Sequence, residues 1–159
     1  MTVASAAKAP TVRAKEFHFP LRVEWNGARR VAAQVEGKPP IEITAPPVFH
    51  GTDPTTWSPE DLFVAAAASC LAVTFTGLAE RAALEYAELA VDADGVCGRR
   101  HDGRFGFTQL RLRLELETDI ARAAEARQVA EEAERNCLVS NSLDLPVETS
   151  IVVRDRMQT

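Results

Sequence analysis

Phe17, Phe19, Leu21, Val23 and Trp25 alternate with His18, Pro20, Arg22 and Glu24, the period-two pattern of a strand with one buried face. Pro20 assigns this strand to an edge or a bulge. Asn26-Gly27 follows at once and tolerates the positive φ angles of a tight hairpin, so Val31, Ala33 and Val35 are predicted to form the returning strand. Gly37-Lys38-Pro39-Pro40 then turns the chain into a third strand, Ile41 to Thr44. The N-terminal third therefore reads as a three-stranded antiparallel meander.

After a loop from Pro46 to Thr56, Ser58-Pro59-Glu60-Asp61 marks a helix start, with Ser58 as N-cap, Pro59 at the first helical position and acids in the first turn. The helix is predicted to run to about Leu84. From Leu62 to Phe75 it is apolar on every face and is expected to be enclosed on all sides. Its methyl-sized run Ala65 to Ala68 invites the close approach of a second helix.

Leu89, Val91 and Ala93 predict another strand, and a polar turn around His101 to Gly103 leads to Leu110, Leu112, Leu114 and Leu116, alternating with Arg111, Arg113, Glu115 and Glu117. Here one face is core and the other water. Thr118 or Asp119 then caps a helix in which Ile120, Ala123, Ala126, Ala130, Ala133 and Cys137 recur at spacings of three and four. Val147, Thr149, Ile151 and Val153 alternate as a last strand beyond Pro146. The order βββ-α-ββ-α-β is an α+β pattern of antiparallel sheet around helices, without the alternating units of a dinucleotide-binding fold.

A chain of 159 residues is of single-domain size, expected here over residues 15–159 behind a disordered N-terminal tail of residues 1–14. With 18 basic and 23 acidic residues the net charge is −5, and the basic residues are dispersed, which argues against DNA or RNA as a ligand. The tail has no apolar block like that of a signal peptide, so a cytoplasmic location is expected. The apolar stretch Leu62 to Phe75 falls short of the ~20 residues a bilayer requires, so no membrane partner is expected either. Three cysteines, too widely spaced for a zinc motif and with no histidine within a few residues of Cys70 or Cys137, support neither a disulfide scaffold nor a metal site.

Cys70 shares a helix line with Leu62, Ala66 and Val73, and Cys137 lies on the apolar stripe of the other helix, so both thiols should face the interior. Spacing leaves two readings open, a pair of small core side chains or a redox pair. Redox chemistry makes definite demands. The attacking sulfur must ionise near neutral pH, whereas a free thiol has pKa ≈ 8.5 and burial raises it. Cys70 lies about 12 residues into its helix, beyond reach of the N-terminal dipole, so a cation is expected beside it. A second thiol must then come within disulfide reach, a Cα separation of ~4.4 to 6.8 Å.

The segments Ser58-Pro-Glu-Asp-Leu-Phe-Val-Ala-Ala-Ala-Ala-Ser-Cys70 and Ala133-Glu-Arg-Asn-Cys137-Leu-Val-Ser-Asn-Ser-Leu143 resemble the two helix motifs of the OsmC/Ohr proteins. The element order matches as well, from about Phe17 to Val153. The resemblance implies an OsmC-like fold in an intertwined homodimer and a thiol peroxidase acting on organic hydroperoxides. It implies Cys70 as peroxidatic and Cys137 as resolving cysteine, with re-reduction by a lipoyl-type dithiol and no prosthetic group.

Glu60 matches the carboxylate that organises an arginine beside the thiolate. Ten residues of straight helix, ~15 Å, separate it from Cys70, so either the helix bends or Glu60 serves the partner's Cys70. No Arg occurs between Val31 and Glu80, where one version of the motif carries it. Arg29 has the inward parity of Val31 and Ala33 and is the expected cation, with Arg30 turned to water and Lys38 or Arg22 as substitutes. Trp57, Phe63 and Phe75 are candidates for an apolar substrate pocket, and Cys97, which has no matching motif, is expected to be structural or incidental. Two other classes stay open: a cysteine hydrolase using Cys70 with His50 as base, and a non-enzymatic binding or stress protein with inert core thiols.

Overall fold

The hairpin forms where Asn26-Gly27 predicts it. In the computed structural model, which describes residues 15–156, Gly27 and Ala28 both adopt positive φ (97° and 47°). Strands β1 (Arg22–Trp25), β2 (Arg30–Gln34) and β3 (Ile41–Thr44) build an antiparallel sheet in the order β1-β2-β3, with Trp25 opposite Val31 and Val31 opposite Ile43. The expected N-terminal tail, residues 1–14, lies outside the described residues, as do residues 157–159.

This sheet corrects one expectation. The stripe Phe17, Phe19, Leu21, Val23 and Trp25 is not covered by the described residues of its own chain: Phe19 is 84% and Trp25 74% exposed. Regular pairing also begins only at Arg22, beyond Pro20, which lacks the N–H that a ladder needs.

Helix α1 (Pro59–Arg81) starts as the sequence dictates. Ser58 Oγ accepts the Asp61 N–H at 3.0 Å and Asp61 Oδ2 accepts the Ser58 N–H at 2.8 Å, a reciprocal capping box. The helix ends at Arg81, three residues before the expected Leu84, because Ala83 turns into the left-handed region at φ 47°. Ala67, Leu71, Phe75 and Ala79 form its buried stripe. Contrary to the expectation of full enclosure, Ala66, Ser69 and Val73 on another face are exposed within the chain. At 23 residues α1 is also long and apolar enough, by length and composition, to cross a membrane, although its apolar core segment alone is too short; its buried stripe packs on the second sheet and on the helix of residues 123–135.

That sheet comprises β4 (Glu88–Arg99), β5 (Phe105–Thr118) and β6 (Val147–Asp155) in the order β4-β5-β6. Leu110, Leu112, Leu114 and Leu116 point into the core as their alternation requires. The β4–β5 pair is antiparallel, but β5 and β6 run parallel, since the chain returns through a helical crossover to the same end of the sheet. Gly95 on β4 lets the helix close on the sheet: a Cβ there would sit 2.7 Å from Val64 Cγ2 and 2.6 Å from Phe107 Cε1.

The expected second helix is divided. A 3₁₀ turn (Ile120–Arg122) capped by Asp119 precedes α2 (Ala123–Arg135), and α2 stops at Asn136 before a single further turn, α3 (Leu138–Asn141), whose N-cap is Cys137. Ala126, Val129, Ala130 and Ala133 are the buried stripe of α2, and their small size lets α1 and α2 pack closely.

Candidate functional site

Cys70 lies on α1 beside Leu71, Cys137 is 1% exposed, and all three cysteines are unoxidised. The break at Asn136 brings the start of α3 to Cys70. Burial pushes the Cys70 thiol up. The backbone N–H of Val139, the Cys137 thiol, the Thr74 hydroxyl and the backbone N–H of Leu138 outweigh it, so the pKa of Cys70 falls below that of an ordinary thiol. Val139 and Leu138 open α3, where first-turn N–H groups have no intrahelical acceptor and are free to point at a sulfur. Thr74 stands one turn after Cys70 on the same face of α1. Ser140 donates its hydroxyl to Cys137 Sγ at 3.2 Å.

The sequence expectation is thus met in one respect and changed in another. The two thiols do meet, with Cys137 buried and Cys70 half-buried. The largest influences that lower the pKa of Cys70, however, are neutral donors and not a cation. Treating residues 120–137 as one helix hid the N–H groups of Leu138 and Val139, together with Thr74 and Ser140. Asn136, a poor helix former that favours helix ends, was the local signal of the break.

Glu60 is not beside the Cys70 of its own chain. It lines a cavity of about 550 Å³ between α1, β4 and the 46–57 loop, with Phe49, Trp57, Val64, Cys97 and Phe107 on the walls. Its Oε2 is buried there without a hydrogen-bond partner among the described residues. Burial raises the Cys97 pKa, and the Glu60 charge raises it further. Cys97 follows a bulge after Val96, a register shift that re-aims side chains in the strand. Sequence periodicity gives no sign of that bulge, so the meeting of Cys97 with Glu60 was not foreseen.

Arg29 precedes β2, so strand parity does not govern it. It is exposed and donates to the carbonyls of Phe49 and His50 at 3.1 and 3.4 Å. Arg30, expected to face water, is the half-buried one. It pairs with Asp53 at 2.7 Å, and the Thr55 hydroxyl and N–H together with Arg30 and Thr56 hold that carboxyl well below the usual range. Arg22 is paired with Glu24 and Lys38 is exposed. Both arginines after the hairpin therefore fasten the 46–57 loop to the first sheet. Gly51 is required in that loop, since a Cβ on it would meet the Ala45 carbonyl oxygen at 1.6 Å.

His50 sits in a separate recess with Arg29, Arg30 and Thr44, and among the described residues no hydrogen bond joins it to Cys70. Of the aromatic candidates, Phe75 is core, packed edge-on to Tyr86. Phe63 stacks on Phe107 at 4.2 Å, and only Trp57 lines the Glu60 cavity directly.

A half-buried thiol on the long helix of an α+β fold and a buried thiol at the start of α3 are thus in contact. Residues 51–152 match the family model described as OsmC-like protein. The chain belongs to the OsmC-like family. It is 26% identical over 141 residues to the uncharacterized protein YmaD of Bacillus subtilis, covering 86% of this chain and 93% of that one. Its fold is similar to that of an OsmC-like protein of unknown function from Vibrio cholerae, with TM-score 0.77 and 22% identity over 86% of this chain and 100% of that one. It is also similar to an organic hydroperoxide resistance protein from Elizabethkingia anophelis, with TM-score 0.71 and 21% identity over 89% of this chain and 99% of that one.

Proposed function

We propose that this chain is a thiol peroxidase that reduces organic hydroperoxides. The observation that carries the reading is the contact of Cys70 with Cys137 in surroundings that favour the Cys70 thiolate. Solved proteins of this fold that bear the name organic hydroperoxide resistance protein support the substrate class.

The Cys70 thiolate attacks one peroxide oxygen, the O–O bond breaks, and the alkoxide leaves as the alcohol after taking up a proton. Cys70 is left as a sulfenic acid. The Cys137 thiol displaces its hydroxyl as water, and a disulfide forms. A dithiol of lipoyl type reopens it by two exchanges, becoming a cyclic disulfide while both protein thiols are regenerated. The N–H groups of Val139 and Leu138 stabilise the negative charge on sulfur before attack.

The reading extends to an intertwined homodimer in the cytoplasm. The exposed face of α1 and the uncovered stripe of β1 call for a second copy, and the unpartnered Glu60 oxygen calls for a donor. In such a dimer Glu60 and Arg29 of one chain act on the Cys70 of the other.

Cumene hydroperoxide added to the reduced protein, followed by disulfide mapping by mass spectrometry, tests the cycle. A Cys70–Cys137 link is expected, with Cys70→Ser losing peroxide consumption and Cys137→Ser stopping after one equivalent with Cys70 sulfenylated. Unchanged turnover in Cys70→Ser overturns the proposal.

A further inference from the structure

The hydroxyls carried by α1 and by the turn of α3 fall into two groups. Ser69 and Thr76 donate to the carbonyls of Ala66 and Val73, at 3.3 and 2.8 Å, and Ser142 donates to that of Leu138 at 2.8 Å. This is the ordinary back-bond of a helical hydroxyl to a carbonyl three or four residues earlier. Thr74 and Ser140 serve sulfur instead. Thr74 donates to Cys70, and Ser140 donates to the Sγ of Cys137, three residues earlier, at 3.2 Å.

The Ser140 bond orients more than its own donor. A thiol carries one S–H and is a weak acceptor. With a hydroxyl placed on its lone pair, the Cys137 sulfur turns its own hydrogen elsewhere, and that hydrogen goes to Cys70. The result is a chain from the Ser140 O–H through the Cys137 S–H to the Cys70 sulfur, in which each bond polarises the next. The turn that carries it is braced, because Asn141 Nδ2 donates to the Arg135 carbonyl at 2.9 Å across the break between α2 and α3. Cys137 is buried, so bulk water does not compete with the hydroxyl for its sulfur.

We propose that Ser140 is a positioning residue of this thiol pair: its hydroxyl aims the Cys137 S–H at Cys70 in the reduced protein and holds the Cys137 sulfur as it becomes the nucleophile that resolves the Cys70 sulfenic acid. The second half of this role rests on the peroxidase reading. In the resolving step the Cys137 sulfur gives an electron pair to the sulfur of the sulfenic acid, the S–O bond breaks toward oxygen, and the hydroxide so released takes the Cys137 proton and leaves as water. Ser140 keeps its own proton throughout and supplies a hydrogen bond to a sulfur whose negative charge is growing.

Variants of Ser140 in the full chain carrying Cys97→Ser, which leaves only the two thiols of the pair, are the test. Thiolate absorbance of the reduced protein against pH needs no peroxide: in Ser140→Ala the first apparent ionisation of the pair moves to higher pH, and Ser140→Thr, which keeps a hydroxyl, restores it. Cumene hydroperoxide with rapid quenching and dimedone trapping reads the resolving step. There Ser140→Ala forms the Cys70–Cys137 disulfide about tenfold more slowly, the scale of one hydrogen bond to a charged group, and sulfenic Cys70 accumulates. Ser142→Ala removes a hydroxyl bond from the same turn without touching sulfur and leaves both readouts in place. An ionisation unmoved in Ser140→Ala, or an equal shift in Ser142→Ala, overturns the proposal, and the latter would make the hydroxyl a brace of α3 alone. An unchanged disulfide rate in Ser140→Ala overturns its second half. A Cys97→Ser parent that forms no sulfenic acid overturns the peroxidase reading and that second half together, while the ionisation still decides the first.

Discussion

Two stripes of this molecule look alike in sequence and end in opposite environments. Leu110, Leu112, Leu114 and Leu116 on β5 alternate with charged partners and are at most 3% exposed. Phe17, Phe19, Leu21, Val23 and Trp25 alternate as regularly, yet each is more than half exposed. The difference lies in what each sheet has beside it. The second sheet has α1 and α2 on its inner face, whereas the first is tied to the rest of the chain by loop contacts: Arg29 to the 49–50 carbonyls, Arg30 to Asp53, and the Thr44 N–H to the Trp57 carbonyl at 2.9 Å. Alternation reports that a face is to be covered and is silent on which chain covers it. Helix α1 repeats the lesson within one element, since Phe75 is fully buried and Val73, two residues earlier, is 69% exposed.

The sharpest way to break this contrast is truncation in both stripes. Leu114→Ala removes a fully buried side chain and is expected to cost about 2–5 kcal/mol at every protein concentration. Trp25→Ala, within an isolated chain, is a surface change worth about 0.5 kcal/mol or less. If a second copy covers Trp25, its effect grows with protein concentration and the species seen by size exclusion with light scattering shifts from dimer toward monomer. Urea denaturation at several concentrations reads both. A Trp25→Ala protein with unchanged mass and midpoint throughout would mean that no second chain sits on the stripe.

The element order was legible because each element carries a local signature: the Asn26-Gly27 turn, the Ser58-Pro59 helix start, the leucine alternation of β5. The parallel β5–β6 seam was not, because a strand's own pattern holds no record of its neighbour's direction. At the site, the meeting of Cys70 and Cys137 was legible from stripe geometry and motif. The source of thiol activation was hidden in the break at Asn136, which frees two backbone N–H groups, and backbone groups leave no mark in residue identity. Arg29 failed as an inward residue because strand parity was extended one position past the start of β2.

A smaller effect, confined to one chain, separates folding from assembly. Ser58 is 2% exposed, and its hydroxyl accepts the Asp61 N–H at the start of α1. Ser58→Ala should cost about 1 kcal/mol. Because the capping box is internal to the chain, the loss should be the same at all protein concentrations, unlike that of Trp25→Ala. A concentration-dependent loss would show that the helix start, too, belongs to the surface between copies.

The smallest effect is on thiol reactivity and compares the closed and open sides directly. Cys70 sits against the buried half of the molecule, while Cys97 lines the open cavity with Glu60. Access alone would make Cys97 the more reactive. Ionisation argues the reverse: hydrogen bonds from the start of α3 lower the Cys70 pKa, whereas burial and then the Glu60 charge raise that of Cys97. The iodoacetamide rate of Cys70 should therefore reach half its plateau at lower pH than that of an ordinary thiol, and that of Cys97 at higher pH. At neutral pH Cys70 labels first. Glu60→Gln removes only the lesser of the two causes at Cys97, so its midpoint should fall part of the way back while that of Cys70 within the same chain stays in place. A coincident pair of midpoints would show that the N–H groups of Leu138 and Val139 do not act on the Cys70 sulfur, and would remove the physical distinction between the two thiols.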